Sequence, residues 1–241
     1  MSVVLCFYSN QFSVIATDTR FSIGYKLGGH IFKTDDSGVK LFEHPAGWAA
    51  GVGCFGFLQY VMQQAAQIDA YQGENFDRLY QECLLKYPTI HHSYLESDLH
   101  DSAIILSCVE TDKDHRRFLS MRRHVSNIKT SPITKLNELT LYTSYPPEIA
   151  KNENVLCAIK AKNSEPIQPG LTNCISRICD AFCDIQSNAK SVSHICDIGI
   201  LKVDSFGIEK IHIRDDVSCI QGDSKNDFRN AALYETKRIF L

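Results

Sequence analysis

The first twenty residues contain two short segments that are apolar on both faces. Residues 3–8 form an almost unbroken apolar run rich in strand formers, and residues 12–17 repeat this pattern after a polar turn at residues 9–11. Two such runs joined by a tight turn predict a β-hairpin. A strand with one face in water alternates apolar and polar residues, so these strands must be covered on both sides. The hairpin therefore belongs inside a layered fold.

Further strand and helix patterns follow along the chain. Strands are predicted at residues 39–42, 47–50, 103–109, 118–121, 139–143, 198–203 and 208–213. Helices are predicted from about Leu58 to Gly73, from Asn75 to Lys86 ahead of Pro88, from residue 171 onward, and as a short closing helix in residues 227–241.

This order of elements indicates an α+β protein. It shows no regular βαβ alternation, no internal repeat and no Pro/Ser-rich linker. Strands in sequential runs, apolar on both faces, predict a four-layer αββα sandwich of two antiparallel sheets between helix layers. We expect residues 1–241 to form a single domain, although a two-domain α+β protein fits the pattern almost as well.

Composition limits the partners and the compartment. The 241 residues are 44% hydrophobic, which suffices for one large core, and the net charge is −3 with no basic stripe that would bind nucleic acid. The N-terminus lacks the features of a secretory signal, and no apolar run reaches the ~20 residues that span a bilayer. We therefore expect a cytoplasmic protein with no nucleic-acid or membrane partner.

The ten cysteines are expected to be reduced and mostly buried, because a chain of this length and apolar content does not need a disulfide scaffold. Cys179 and Cys183 lie one turn apart on a predicted helix and could share a metal ion. No adjacent Cys/His pair completes such a site, so we predict neither a metal nor a cofactor.

The N-terminal quarter resembles a known family. Ser2 with the following hairpin, and then Asp18-Thr19-Arg20, resemble the start of proteasome β subunits and their bacterial homologues, which are N-terminal-nucleophile hydrolases. The spacing from Ser2 to Asp18 equals the family spacing from nucleophile to acid. Lys40 matches the active-site lysine after a longer loop, and residues 50–53 look like the Ala-Gly-Gly element. The resemblance covers residues 2–70 and is general beyond them.

The resemblance implies a mechanism that the residue types can perform. A serine hydroxyl needs an adjacent base, and an N-terminal serine carries one in its α-amine, whose pKa is ~7.7–8.0. Removal of Met1 would expose Ser2 in this form. An ammonium on Lys40 would keep the pKa of that amine low, and Asp18 would hold the lysine. Gly51, expected at a helix N-terminus, would donate its N–H to the oxyanion.

Supporting residues are placed by the same resemblance. Ala49 and Gly53 flank Gly51 and are predicted to line a roomy, neutral substrate pocket. Ser144, Ser193 and Asp197 are candidates for the later serine and aspartate of the family, although none lies in the expected Asp-x-x-Ser-Gly pattern or between glycines.

Each residue also has an ordinary structural interpretation. Asp18 and Arg20 could form an ion pair at a strand end, Lys40 could be a solvated lysine, and Gly51 could be a strand-to-helix turn. The family nucleophile is usually threonine rather than serine, and retention of Met1 would move the α-amine away from Ser2. Cys6 as an alternative nucleophile would need cleavage inside the first strand, so we predict a core residue there.

The functional prediction is an amide-bond hydrolase that cuts peptides within a ring-like homo-oligomer. One alternative is a small-molecule amidase or an acyltransferase of the same fold, and a second is a non-catalytic proteasome-like structural subunit. No ATP-binding loop is present in the sequence, so a requirement for ATP would imply a separate ATPase partner.

Overall fold

The structure is a computed structural model that describes residues 3–24, 31–67, 73–90, 99, 102–126, 133–168, 170–204, 207–224, 231 and 233–240. Its strands are β1 (Val4–Tyr8), β2 (Phe12–Asp18), β3 (Phe21–Gly24), β4 (Ile31–Asp35), β5 (Leu41–His44), β6 (Gly47–Val52), β7 (Ala103–Thr111), β8 (Arg117–Val125), β9 (Ile133–Lys135), β10 (Tyr142–Ser144), β11 (Ile195–Asp204), β12 (Gly207–Asp216) and β13 (Leu233–Phe240). Its helices are α1 (Phe55–Ala65), α2 (Gly73–Ile90), α3 (Pro147–Ala150), α4 (Glu153–Asn163), α5 (Leu171–Asn188) and α6 (Val217–Ser224).

The strands form two main antiparallel sheets. Sheet I has six strands in the order β10-β1-β2-β11-β12-β13, and sheet II has five in the order β5-β6-β7-β8-β9. Strands β3 and β4 form a separate hairpin. The predicted N-terminal hairpin is confirmed: β1 and β2 pair from Val4↔Thr17 to Tyr8↔Ser13.

The side chains of β1 explain why both of its faces are apolar. Val3, Leu5 and Phe7 pack in a core between sheet I and the helices α4 and α5. Val4 and Cys6 point the other way, into a second core between the two sheets. A third core lies between sheet II and the helices α1 and α2. The layers are therefore helix, sheet, sheet, helix, and the predicted αββα sandwich is confirmed.

Several predicted helix and strand limits are wrong. Helix α1 ends at Ala65 instead of near Gly73, and α2 continues through Pro88 to Ile90. A proline so close to the C-terminus of a helix removes only one backbone hydrogen bond, so the last residues of α2 can remain helical. The elements that sequence patterns missed are β3, β4, β9, α3, α4 and α6.

The chain end is the largest difference. A closing helix was predicted for residues 227–241, but residues 233–240 form β13, which pairs with β12 from Gly207↔Phe240 to Arg214↔Leu233. Residues 225–230, 232 and 241 lie outside the described residues. An unpaired edge of a central sheet offers backbone hydrogen bonds that override weak local helix propensity.

The cysteines are mostly buried, as predicted. Six of the ten free cysteines are buried, and only Cys157 and Cys219 are exposed. Cys6 is completely buried in the core between the sheets, which raises the pKa of its thiol. This confirms it as a core residue. In the part of the chain that the structure describes, no helix is both long and apolar enough to cross a membrane.

Candidate functional site

Asp18 is the last residue of β2 and is completely buried. One carboxylate oxygen accepts the backbone N–H of Val3 at 2.9 Å. The other accepts the backbone N–H of Arg20 at 3.1 Å and a hydrogen bond from Nζ of Lys40 at 2.9 Å. A buried carboxylate needs such donors to offset the loss of water. Asp18 is therefore fixed beside the start of β1.

Lys40 immediately precedes β5, and its side chain is only 4% exposed. Burial lowers the pKa of its ammonium, and the attraction of Asp18 opposes that effect. Nζ of Lys40 and Oδ2 of Asp18 form a buried ion pair at 2.9 Å. The interpretation of Lys40 as a solvated strand-end lysine is therefore wrong.

Met1 and Ser2 lie outside the described residues. Val3, the next residue, is completely buried, and its N–H is bonded to Asp18. Asp18, the acid of the buried ion pair, is thus bonded to the residue that follows the predicted nucleophile in the sequence.

The sequence predicted that Gly51 begins a helix, and this prediction is wrong. Gly51 lies inside β6, paired with Ile104 of β7, and α1 starts only at Phe55. The strand continues to Val52, and the chain turns at Gly53, whose φ of +105° favours glycine. On the other side of β6, the ladder with β5 ends at Leu41↔Ala50, one residue before Gly51. Gly51 therefore lies beyond the end of that ladder, next to the segment that carries Lys40.

The two residues predicted to line a substrate pocket have clear structural roles. Ala49 is completely buried in the core under α1 and α2. Gly53 approaches Ser102 so closely that an added Cβ would lie 2.5 Å from Cα of Ser102. Oγ of Ser102 also accepts the backbone N–H of Cys54 at 2.8 Å. A role for Ala49 and Gly53 in a pocket stays a prediction.

The three supporting candidates all lie near the ends of β1 and β2. Ser144 is opposite Val4 in the ladder of β1 and β10. Ser193 is buried; its Oγ accepts a hydrogen bond from Thr19 at 3.3 Å and the N–H of Ile195 at 3.0 Å. Asp197 is opposite Thr17 in the ladder of β2 and β11. The fold thus brings together parts of the chain that lie far apart in sequence.

Arg20 pairs with a residue that sequence reasoning missed. Its guanidinium makes two bonds to Asp36, Nε to Oδ1 at 2.6 Å and Nη2 to Oδ2 at 2.8 Å, and its Nη1 donates to the carbonyl of Lys190 at 2.7 Å. Only the backbone of Arg20 contacts Asp18, so the alternative of an Asp18–Arg20 ion pair is wrong. The guanidinium lowers the pKa of Asp36. The sequence of residues 35–38 predicts only a loop, which gives no indication that Asp36 binds Arg20.

His212 and Arg214 were also missed, because neither belongs to a sequence motif. Nε2 of His212 lies 2.8 Å from Oδ1 of Asp197, and Nη1 of Arg214 lies 3.6 Å from Oδ2. All three residues lie on the paired strands β11 and β12.

Within the described ranges, no group of three or more His, Cys, Asp or Glu residues is arranged to hold a metal ion. The site contains instead the buried ion pair of Asp18 and Lys40, next to the start of β1. Such a pair can orient an amine and tune its pKa.

No protein-family profile matches the sequence, and no curated protein matches it. Solved structures do match. The "Anbu (Gly-1) mutant" from Hyphomicrobium sp. strain MC1 aligns with a TM-score of 0.57 and 12% identity over 100% of this chain and 88% of that one. Anbu from Yersinia bercovieri, described as an ancestral beta-subunit, gives 0.56 and 12% over 100% and 87%. Thiobacillus denitrificans BPH in complex with epoxomicin gives 0.56 and 12% over 84% and 99%.

Identity of 12% is evidence of a shared fold rather than of shared chemistry. The match extends over the whole chain, well beyond the N-terminal quarter that carries the sequence resemblance. The chain therefore has the α+β fold of the proteasome-β-like N-terminal-nucleophile hydrolases.

Proposed function

We propose that the protein is an amide-bond hydrolase that uses Ser2, exposed by removal of Met1, as its nucleophile. One observation carries the proposal: Asp18, buried and bonded to the N–H of Val3, holds the ammonium of Lys40 next to the start of β1. A buried ion pair is costly unless its geometry is well supported, and it contributes little to stability compared with apolar packing. Its position beside the predicted nucleophile favours a catalytic role over a structural one.

The proposed reaction proceeds in two steps. The α-amine of Ser2 takes the hydroxyl proton while Oγ attacks the carbonyl carbon of the amide, and the same proton then passes to the leaving amine. Water hydrolyses the resulting ester by the reverse sequence and frees Ser2. Lys40 lowers the pKa of the α-amine by repulsion between positive charges, and Asp18 keeps Lys40 in place.

The backbone N–H of Gly51 is the proposed donor to the oxyanion. Three features support it: Gly51 has no side chain, it follows the last pair of the β5–β6 ladder, and it lies beside the segment that leads to Lys40. Ala49 and Gly53, two residues before and after Gly51, have little or no side chain and no charge. A substrate pocket lined by them would be roomy and neutral. Ser144, Ser193 and Asp197 would complete the polar surroundings.

Peptides are the proposed substrates, and a ring of identical subunits is the proposed assembly. Support comes from two structures of the same fold: the Anbu protein described as an ancestral beta-subunit, and BPH, which was solved with epoxomicin bound. A separate ATPase would be needed only if folded proteins are degraded.

The decisive test is the intact mass of the purified protein before and after treatment with epoxomicin or a β-lactone. We expect a mass that lacks Met1, and a single covalent adduct that is absent in Ser2→Ala. The control variant must leave the core intact, which excludes substitutions at completely buried positions such as Leu5→Ala. Cys157→Ser changes an exposed residue and should label like the wild type. Complete retention of Met1 would overturn the proposal and favour a structural subunit.

The reaction products distinguish a peptidase from an acyltransferase. Release of free acid from peptide substrates supports the peptidase. Transfer of the acyl group to an added amine, with no net hydrolysis, would indicate an acyltransferase instead.

A further inference from the structure

The segment between β4 and β5 delivers Lys40 to the site, and it is anchored at Gly38. The N–H of Gly38 donates to the carbonyl of Thr19 at 3.0 Å. Its carbonyl accepts a hydrogen bond from Nη2 of Arg214 at 3.4 Å. Both backbone groups of this buried residue are therefore tied to sheet I, one just beyond β2 and the other to β12.

Arg214 is itself oriented by Asp197. The two residues are directly opposite in the ladder of β11 and β12, so their side chains lie on the same face of sheet I. Nη1 of Arg214 is 3.6 Å from Oδ2 of Asp197, whose side chain is only 2% exposed. On its other side Asp197 is opposite Thr17, the residue before Asp18. The carboxylate thus lies between the strand that carries Asp18 and the arginine that contacts Gly38.

His212 fixes the remaining oxygen of Asp197. Its Nε2 is 2.8 Å from Oδ1, and its ring centroid is 5.5 Å from that of Trp48 in the core between the sheets. Gly199, opposite His212, leaves the space that Trp48 fills: an added Cβ there would lie 2.7 Å from the Trp48 ring. A continuous series of contacts therefore runs from the rigid core through Asp197 and Arg214 to Gly38.

We propose that Arg214 is a positioning residue that holds the Lys40 segment in its catalytic place, with Asp197 and His212 holding Arg214. This inference rests on the proposed function. The head of Lys40 is fixed by Asp18 at 2.9 Å, but the backbone from which it extends follows a connection that has no ladder of its own. Arg214 supplies a fixed point two residues before Lys40. A displacement of about 1 Å in a catalytic group can cost on the order of 10²-fold in rate.

A second anchor makes the inference testable in a folded protein. The ion pair between Arg20 and Asp36 holds the same segment at an earlier point. Loss of Arg214 should therefore loosen residues 38–40 without releasing the whole segment. We expect Arg214→Met to fold and to retain its ability to bind substrate.

The experiment compares the wild type with Arg214→Met, Arg214→Lys and Arg116→Met. Arg116 is 75% exposed in the β7–β8 turn and controls for the loss of an arginine. We measure amide hydrogen exchange over residues 36–42, the kcat and KM of a fluorogenic peptide, and the rate of covalent modification by epoxomicin. For Arg214→Met we expect faster exchange in this segment, kcat and modification rate lower by about 10- to 100-fold, and KM within about 2-fold.

Arg214→Lys should recover part of kcat, because one ammonium can still donate to the Gly38 carbonyl. A purely structural role would give no such rescue and no split between kcat and KM. Unchanged exchange in Arg214→Met would overturn the inference, as would faster exchange with unchanged kcat. If the wild type itself does not react with epoxomicin or cleave peptides, the proposed function fails. The exchange data then decide independently whether Arg214 anchors the segment.

Discussion

At the scale of single residues, the buried ion pair of Asp18 and Lys40 is the most consequential contact in the site. Neither side chain is more than 4% exposed, and Asp18 accepts three hydrogen bonds. Removing one partner of such a pair leaves an uncompensated buried charge, which costs more than the pair itself contributes.

Asp18→Asn should therefore lower both stability and reactivity. The variant leaves the ammonium of Lys40 buried without its anion, so we expect the free energy of unfolding to fall by about 3–5 kcal/mol, measured by urea denaturation. The double variant Asp18→Asn, Lys40→Met removes both charges and should recover most of that loss while staying unreactive to epoxomicin. Equal stability of the single variant and the wild type would contradict a buried pair.

His44 gives the protein a sensitivity to acid. It is buried, with 3% of its surface exposed, and burial, with the repulsion of Lys210, lowers the pKa of its imidazole to about 3. The unfolded chain binds a proton near the ordinary pKa of about 6.5, and the folded chain does not until the pH reaches about 3. The unfolded state thus carries more protons in this window, so stability falls as pH falls from about 6.5 to about 3.

The expected slope for His44 is up to about 1.4 kcal/mol of unfolding free energy per pH unit within that window. Urea denaturation at a series of pH values measures it. His44→Asn should flatten the slope, whereas substitution of the exposed His115 by Asn should leave it unchanged. The same slope in His44→Asn and in the wild type would contradict the assignment.

At the scale of secondary-structure elements, sequence patterns succeeded where periodicity and burial agree. The β1–β2 hairpin and the β11–β12 hairpin both have strongly apolar strands, and α5 follows Gly170 with a clear apolar face. They failed for α4, which buries only Ile159 and Asn163 and has little apolar periodicity to detect. They also failed for β13, whose strand conformation comes from pairing with β12 rather than from its own sequence.

The contact between β6 and β11 joins the two sheets and can be tested directly. Trp48 packs on Gly199, and its Nε1 donates to the carbonyl of Ile200 at 3.0 Å. A Cβ at residue 199 would lie 2.7 Å from two atoms of the rigid indole. The sheets meet here only because residue 199 has no side chain.

Gly199→Ala should therefore lower the free energy of unfolding by about 1–3 kcal/mol through overpacking. Combined with Trp48→Phe, which removes part of the ring, the loss should be smaller than the sum of the two single losses. Chemical denaturation of all four proteins in the cycle measures this coupling. Strict additivity would show that the two residues do not share a packing constraint.

At the scale of the whole molecule, the fold matches that of Anbu over 100% of this chain and that of BPH over 84% of it. Sheet I carries Asp18, Ser144 and Asp197, while Lys40 immediately precedes β5, the edge strand of sheet II, and Gly51 lies in the neighbouring strand β6. The candidate site therefore lies where the two sheets meet, and its geometry depends on how they pack.

A ring of identical subunits is the corresponding prediction for the assembly. We expect native mass spectrometry to give a particle whose mass is an integral multiple of the 27.2 kDa chain, allowing for the loss of Met1. Light scattering at several concentrations provides an independent measurement. A monomer at micromolar concentration would contradict the prediction without affecting the proposed chemistry of Ser2.

The N-terminal hairpin and the spacing of Ser2, Asp18 and Lys40 follow from the sequence, because they depend on local periodicity and on order along the chain. The same patterns favour the layered αββα class without excluding a two-domain α+β protein. The burial of Lys40 against Asp18, the place of Gly51 inside a strand and the pairing of Arg20 with Asp36 became visible in the folded chain alone. The same holds for the contact between Arg214 and Gly38. These contacts join residues separated by long stretches of chain, and their geometry is set by strand register and sheet packing, which no local pattern encodes.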